Sequence, residues 1–238
     1  MKKLILGVAV LFLIVAVPSA SADPVQLWGW AFNVNGNVVG STDRPFSAPG
    51  LPWLNSSAFD WDTGLGSLTV TYNPAAAGQY SVIGWLDHDV GSSFTDEEGT
   101  TSMQVLPVSS QIPLAAGESW EIDEPGYTFG DILANVIAGN LDNTNGIGDG
   151  EQDDVSMALG WNFALTDTQY AVLNFTASTT APANDYYLRL LDRSDGTTVY
   201  MSSNLSIQGG TTPVPEPSSL LLAGCGLLIV WRKWRSTR

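Results

Sequence analysis

The sequence predicts an all-β protein, a two-sheet antiparallel β-sandwich of jelly-roll or immunoglobulin-like type. Three observations carry that prediction. Short runs of alternating apolar and polar residues recur between residues 25 and 207. Clusters of Gly, Asn, Asp and Pro separate them, and helical periodicity is almost absent. Eight or more such runs at this spacing favour two stacked sheets.

In chain order the strands are expected at VQLWGWAFNV (25–34), SLTVTYNP (67–74), QYSVIGWLDHD (79–89), SWEID (119–123), VSMALGWNFAL (155–165), QYAVLNFTAS (169–178), DYYLRLLD (185–192) and TTVYMSSNLSI (197–207). In SLTVTY, Leu68, Val70 and Tyr72 point one way and Thr69 and Thr71 the other. Ala171, Leu173 and Phe175 alternate in the same manner with Val172, Asn174 and Thr176. Hairpin turns are expected from Asn73-Pro74 to Gly78 and at Ser194-Asp195-Gly196. One short helix is expected in YTFGDILANVIAG (127–139), where Ile132, Val136 and Ile137 share a helical face. The length fits one sandwich, with a split into two near residues 100–125 as the alternative.

The two ends differ from this body. Lys2 and Lys3, the apolar stretch 4–17 and Ala20-Ser21-Ala22 form the three parts of a secretory signal peptide, so residues 1–22 are expected to be removed by signal peptidase. Residues 23–207 form the ectodomain, 208–217 (QGGTTPVPEP) a spacer that stiffens toward its prolines, and 218–238 a membrane helix with a basic cytoplasmic tail. The apolar run 220–231 has 12 residues; with Ser218 and Ser219 it reaches 14, roughly 21 Å of helix. A hydrocarbon core of about 30 Å needs about 20 residues, so this span is marginal. Trp231 and Trp234 suit the interface, and Arg232, Lys233, Arg235 and Arg238 favour the cytoplasmic side.

Val214-Pro215-Glu216-Pro217, the Leu/Ala/Gly-rich run and the Arg-rich end occur together and in this order. The tail thereby resembles the PEP-CTERM sorting signal of Gram-negative bacteria, also labelled the ice-binding protein C-terminal domain, a label that does not imply ice binding. The resemblance implies recognition of the Pro-Glu-Pro site by exosortase, a membrane enzyme, and delivery to the cell surface or an exopolysaccharide matrix. It covers about a tenth of the chain. The order of WEIDEPGYTFGDI, LDNTNGIGDG and DDVSMALGWNFAL also resembles bodies of other PEP-CTERM proteins, which implies no activity.

Charge narrows the function of the body. Residues 23–213 hold 23 of the 24 acids but only Arg44, Arg189 and Arg193 among the nine bases, a net charge of −20. Such a surface repels nucleic acid and anionic lipid and attracts divalent cations. The one cysteine, Cys225, lies in the tail, which excludes disulfides, cysteine-ligated zinc and a cysteine nucleophile from the body. His88 is the one histidine, and no serine sits in a G-x-S-x-G elbow, so a Ser-His-Asp triad has little to build on; His88 reads as a surface residue at a strand end.

The densest oxygen-rich segment is 142–154. Asp142, Asn145, Asp149, Asp153 and Asp154 are candidate Ca2+ ligands, since calcium takes carboxylate, amide and backbone oxygens and glycines permit the turns that aim them. The spacing is not that of an EF-hand, and a solvated loop has the same composition. In segment 87–98, Asp87, Asp89 and Glu98 match EF-hand positions 1, 3 and 12, but Gly91 and Ser92 do not fit and the preceding residues read as a strand. Seven tryptophans serve the body, most of them expected in the core. Trp28 and Trp30, read as sharing one face of a strand, are the candidate carbohydrate platform. The expected function is non-enzymatic: an exported structural or adhesive protein of the surface or matrix, in contact with exopolysaccharide. A carbohydrate-binding module is the first alternative. A secreted hydrolase, which needs two suitably spaced carboxylates in a cleft, is the second.

Overall fold

The computed structural model describes residues 25–91, 93–148 and 150–210. The signal segment, the membrane segment, the Val214-Pro215-Glu216-Pro217 motif and Asp149 lie outside them. No helix among the described residues is long and apolar enough to cross a membrane.

Two antiparallel sheets form the expected sandwich. The five-stranded sheet runs β2 (Asn37–Ser41), β1 (Gln26–Val34), β5 (Gly78–Asp89), β8 (Ser156–Leu165), β7 (Glu118–Asp123). The six-stranded sheet runs β3 (Leu54–Phe59), β4 (Gly66–Tyr72), β9 (Gln169–Ser178), β11 (Thr198–Gly209), β10 (Tyr187–Asp192), β6 (Glu97–Thr101), and a single helical turn, α1 (Ser102–Val105), follows β6. Each sheet combines strands from both halves of the sequence, joined where β5 pairs with β8 and β4 with β9, so these residues build one sandwich.

The alternating patterns explain the core. Leu68 and Val70 of β4 meet Ala171, Leu173 and Phe175 of β9 beneath Trp30, Phe32, Val82 and Leu86 of the facing sheet. Phe32 and Phe175 close the gap edge to face at 5.4 Å, an arrangement that adds to the burial of both rings. On the outside of the six-stranded sheet the intervening polar residues form rungs, such as Thr69 Oγ1 donating to Asn174 Oδ1 at 2.7 Å.

A second, smaller core lies on the outer face of the five-stranded sheet. There Ala31, Ile83, Trp85 and Ala158 are covered by helix α2 (Ile132–Ala138), whose Ile132 and Val136 point down while Ile137 points out. Asn33 secures the helix end: its Nδ2 donates to Val136 O at 2.8 Å and to Ile137 O at 3.1 Å, and its Oδ1 accepts from Gly36 N at 2.8 Å.

Two turn expectations fare differently. Ser194-Asp195-Gly196 does join paired neighbours, β10 and β11. The stretch from Asn73-Pro74 to Gly78 instead carries the chain from one sheet to the other, because β4 and β5 do not pair. Residues 166–168 cross in the same way between β8 and β9. These crossings give the sandwich two distinct poles. Val34, Tyr72, Leu165 and Gly209 end their strands at one, while Asp89, Ser156 and Asp192 mark the other.

Candidate functional site at the acidic pole

The site begins with a strand irregularity. β1 pairs Leu27 with His88 and Gly29 with Asp87, leaving Trp28 as the extra residue of a bulge. The bulge breaks the period of two. Trp30 enters the core at 4% exposure, whereas Trp28 stands outside at 44%. The two tryptophans therefore do not share a face, contrary to the expectation from their i, i+2 spacing. Arg44 lies over the Trp28 ring at 5.3 Å and donates to Gln26 Oε1 at 2.7 Å.

On β5 the alternation is intact, so Asp87 and Asp89 face outward and His88 inward. His88 is fully buried, which corrects its reading as a surface residue. Its Nε2 lies 3.0 Å from Gly64 O. The carbonyl only accepts, so Nε2 carries the proton. Burial holds the imidazole neutral and lowers its pKa to about 4.

Antiparallel pairing of Asp87 with Ser156 puts Asp154, two residues earlier, beside Asp89. Oxygens of Asp87, Asp89 and Asp154 fall within 4.8 Å of one another. They line a cavity of about 180 Å³ together with Trp28, Phe94 and Tyr127. Tyr127 Oη donates to Asp87 Oδ2 at 2.7 Å. It fits there because residue 29 is glycine: a Cβ at that position would lie 2.7 Å from Oη and 2.6 Å from the Trp85 ring. Asp87 is 1% exposed, and its Oδ1 has no partner; neither does the buried Oδ1 of Asp154.

Burial raises all three carboxyls. Asp87 is held well above the usual range, offset in part by the Tyr127 hydrogen bond. Asp154 is pushed to about 7 by burial and then by its acidic neighbours, and Asp89 to about 6, with Arg44 pulling the other way. Behind them Glu97 accepts from Val90 N at 2.8 Å and Val155 N at 3.0 Å, and burial pushes it up to about 10.

The described residues of the acid-rich loop 142–154 distribute their side chains rather than converging. Asp142 Oδ1 accepts from Thr144 N at 3.0 Å and from Thr144 Oγ1 at 2.7 Å. Asn145 Nδ2 donates to Gly99 O at 2.9 Å, and Asp153 Oδ1 accepts from Asp154 N at 2.9 Å. Asp142 belongs to a second carboxylate group with Glu121 and Asp131, while Asp154 joins Asp87 and Asp89. Glu98 takes no part in the cavity and pairs with Arg189 and Arg193. Thus the two sequence segments singled out for calcium each contribute to the acidic pole, through strand register rather than loop spacing. Asp-x-Asp at the end of β5 was the available signal, since a period of two places both acids on one face.

The far pole holds a larger groove of about 510 Å³ lined by Val34, Val39, Pro52, Trp53 and Tyr72 among others, with Tyr72 its one titratable side chain.

Comparison with known proteins identifies the other functional element. Residues 213–236 are a PEP-CTERM protein-sorting motif. The motif makes the chain an exported protein, sorted at the membrane by exosortase. No curated protein and no solved structure matched the chain. β11, the last strand before the motif in the sequence, ends at Gly209, at the pole opposite the acidic cavity.

Proposed function

We propose that the sandwich is a non-enzymatic structural or adhesive module, displayed on the cell surface or in the extracellular matrix by its sorting motif. The observation that supports this reading is the placement of its exposed aromatics. Among the described residues, four of the five exposed aromatics, Trp28, Phe94, Tyr127 and Phe129, rim the acidic pole, and only Tyr170, opposite Gln208, lies by the strand end that leads to the motif. An apolar rim around hydrogen-bond acceptors is a contact surface for hydrated polymer. Catalysis has less support: His88 is sealed in the core and the acidic cavity is smaller than the ~300–1,000 Å³ typical of small-molecule sites.

Fractionation of producing cells, with and without the exosortase, tests the destination. The sandwich should reach the surface or matrix fraction only when the enzyme is present; equal membrane retention in both strains would refute the reading. The exposed Trp28 favours a second reading, carbohydrate binding by the same pole. Co-sedimentation with the cell's own exopolysaccharide should then fall at least tenfold in Trp28→Ala, and release of reducing ends by the purified chain would replace both readings with the hydrolase.

A further inference from the structure

We propose that Asp87, Asp89 and Asp154 bind a calcium ion at the acidic pole. Three observations converge on the ion. First, the donor set is all carboxylate oxygen, with no thiol or imidazole facing the cavity, which suits a hard cation and not zinc. Second, the spacing fits. Oxygens on opposite sides of a Ca2+ ion at ~2.3–2.6 Å lie about 4.6–5.2 Å apart, and these oxygens all fall within 4.8 Å of one another.

Third, the cavity contains an acceptor with nothing to accept from. Asp87 is 1% exposed, its Oδ2 is committed to Tyr127 and its Oδ1 has no partner. A buried carboxylate oxygen without a donor carries a large desolvation cost unless a cation meets it. Arg44 acts on Asp89 alone, and its guanidinium is already held by Trp28 and Gln26. Fully ionised, the three carboxylates would set three negative charges around one cavity, where a divalent cation offsets two. Tyr127 orients Asp87 from outside the coordination shell, and water entering past Trp28 and Phe94 completes the six to eight ligands calcium takes.

The second carboxylate group provides the contrast. Glu121 is buried too, yet Oε1 accepts from Asn135 Nδ2 at 2.9 Å and Oε2 from Asp142 N at 3.3 Å, so no buried oxygen there lacks a donor.

The test uses the full chain in detergent, with isothermal titration of Ca2+ after chelator treatment and melting followed by tryptophan fluorescence. One site is expected, with Kd in the ~10⁻⁴–10⁻³ M range of extracellular modules. At a tenfold excess over Kd the folding equilibrium should shift about elevenfold. Asp89→Asn and Asp154→Asn should weaken binding at least tenfold, yet melt in chelator no lower than the unsubstituted chain, because they relieve repulsion. Asp142→Asn should bind normally. The proposal is overturned if titration shows no site, if Mg2+ gives an equal shift at equal concentration, or if Asp142→Asn abolishes binding while Asp89→Asn and Asp154→Asn retain it. Asp89→Asn and Asp154→Asn keep the test open should Asp87→Asn fail to fold.

Discussion

Asn33 ties together three parts of the fold, and replacing it by alanine isolates that role. The side chain is 1% exposed and makes three hydrogen bonds: two to the last carbonyls of α2 and one from the β1–β2 turn. At about 0.5–1.5 kcal/mol net for each bond, the sum is about 1.5–4.5 kcal/mol. Val136 O keeps a second donor, Gly139 N at 3.1 Å, so the heaviest loss falls on Ile137 O and Gly36 N. A loss of about 2–4 kcal/mol is therefore expected, which for a domain of this size lowers Tm by roughly 5–15 °C. Asn33→Asp should cost more than Asn33→Ala, because it removes the donor and sets a carboxylate against helix C-terminal carbonyls. Urea unfolding followed by fluorescence measures the change. Hydrogen exchange should localise it, with α2 amides losing protection first. Asn37→Ala, which removes one peripheral bond of 3.4 Å, is the control. If Asn33→Ala changes stability no more than Asn37→Ala, the helix is held by its apolar face alone and the reasoning fails.

Three further outcomes follow from other parts of the sandwich. Glu97 has a folded pKa raised by burial to about 10, so its contribution to stability is present below the unfolded value near 4.5 and is lost as pH rises toward 10; in chelator the urea midpoint should fall between pH 6.5 and 9, Glu97→Gln should flatten that slope, and an unchanged slope would contradict the assignment. Gly64→Ala should destabilise by about 2–5 kcal/mol, because residue 64 sits at φ +72° and a Cβ there would come within 2.4 Å of His88 Nε2; a melting temperature within 2 °C of the parent would rule this out. Trp85→Phe removes the Nε1–Ser156 Oγ bond of 3.0 Å beneath α2 and should cost about 1–3 kcal/mol in thermal or urea unfolding, with loss of α2 protection as its local signature.

Legibility in the sequence tracked whether burial was apolar. The eight strands with alternating apolar residues were readable, as was α2, since side-chain period and burial coincide there. β6 was not. Its sequence EEGTT contains no apolar residue, yet all five positions are buried, with Glu97 held by backbone donors and Glu98 by Arg189 and Arg193. Nothing local distinguishes such a segment from a solvated turn. β2 and β3 are short edge strands with mostly unburied residues, so their pattern is weak. The Asn35-Gly36 turn joining β1 to β2 was readable in principle. Both residues have positive φ, 50° and 86°, as a two-residue type I′ hairpin requires, and Asn-Gly is its usual signature. The bulge at Trp28 had no such marker, and it decided which tryptophan is exposed. At the acidic pole the ligand types were visible, but their convergence depends on the register of β5 with β8, which belongs to the tertiary fold.

The two poles have a mechanical consequence. A body held through its tail and grasped at the acidic pole would be pulled along its strands. Tension entering at Gly209 runs up β11, whose ten paired positions with β9 lie side by side across the line of force. Those hydrogen bonds are loaded together in shear, instead of opening one at a time from a frayed end. The strand leading to the sorting motif is thus also the one best placed to bear load, and the fold can resist drag without a covalent cross-link in its body.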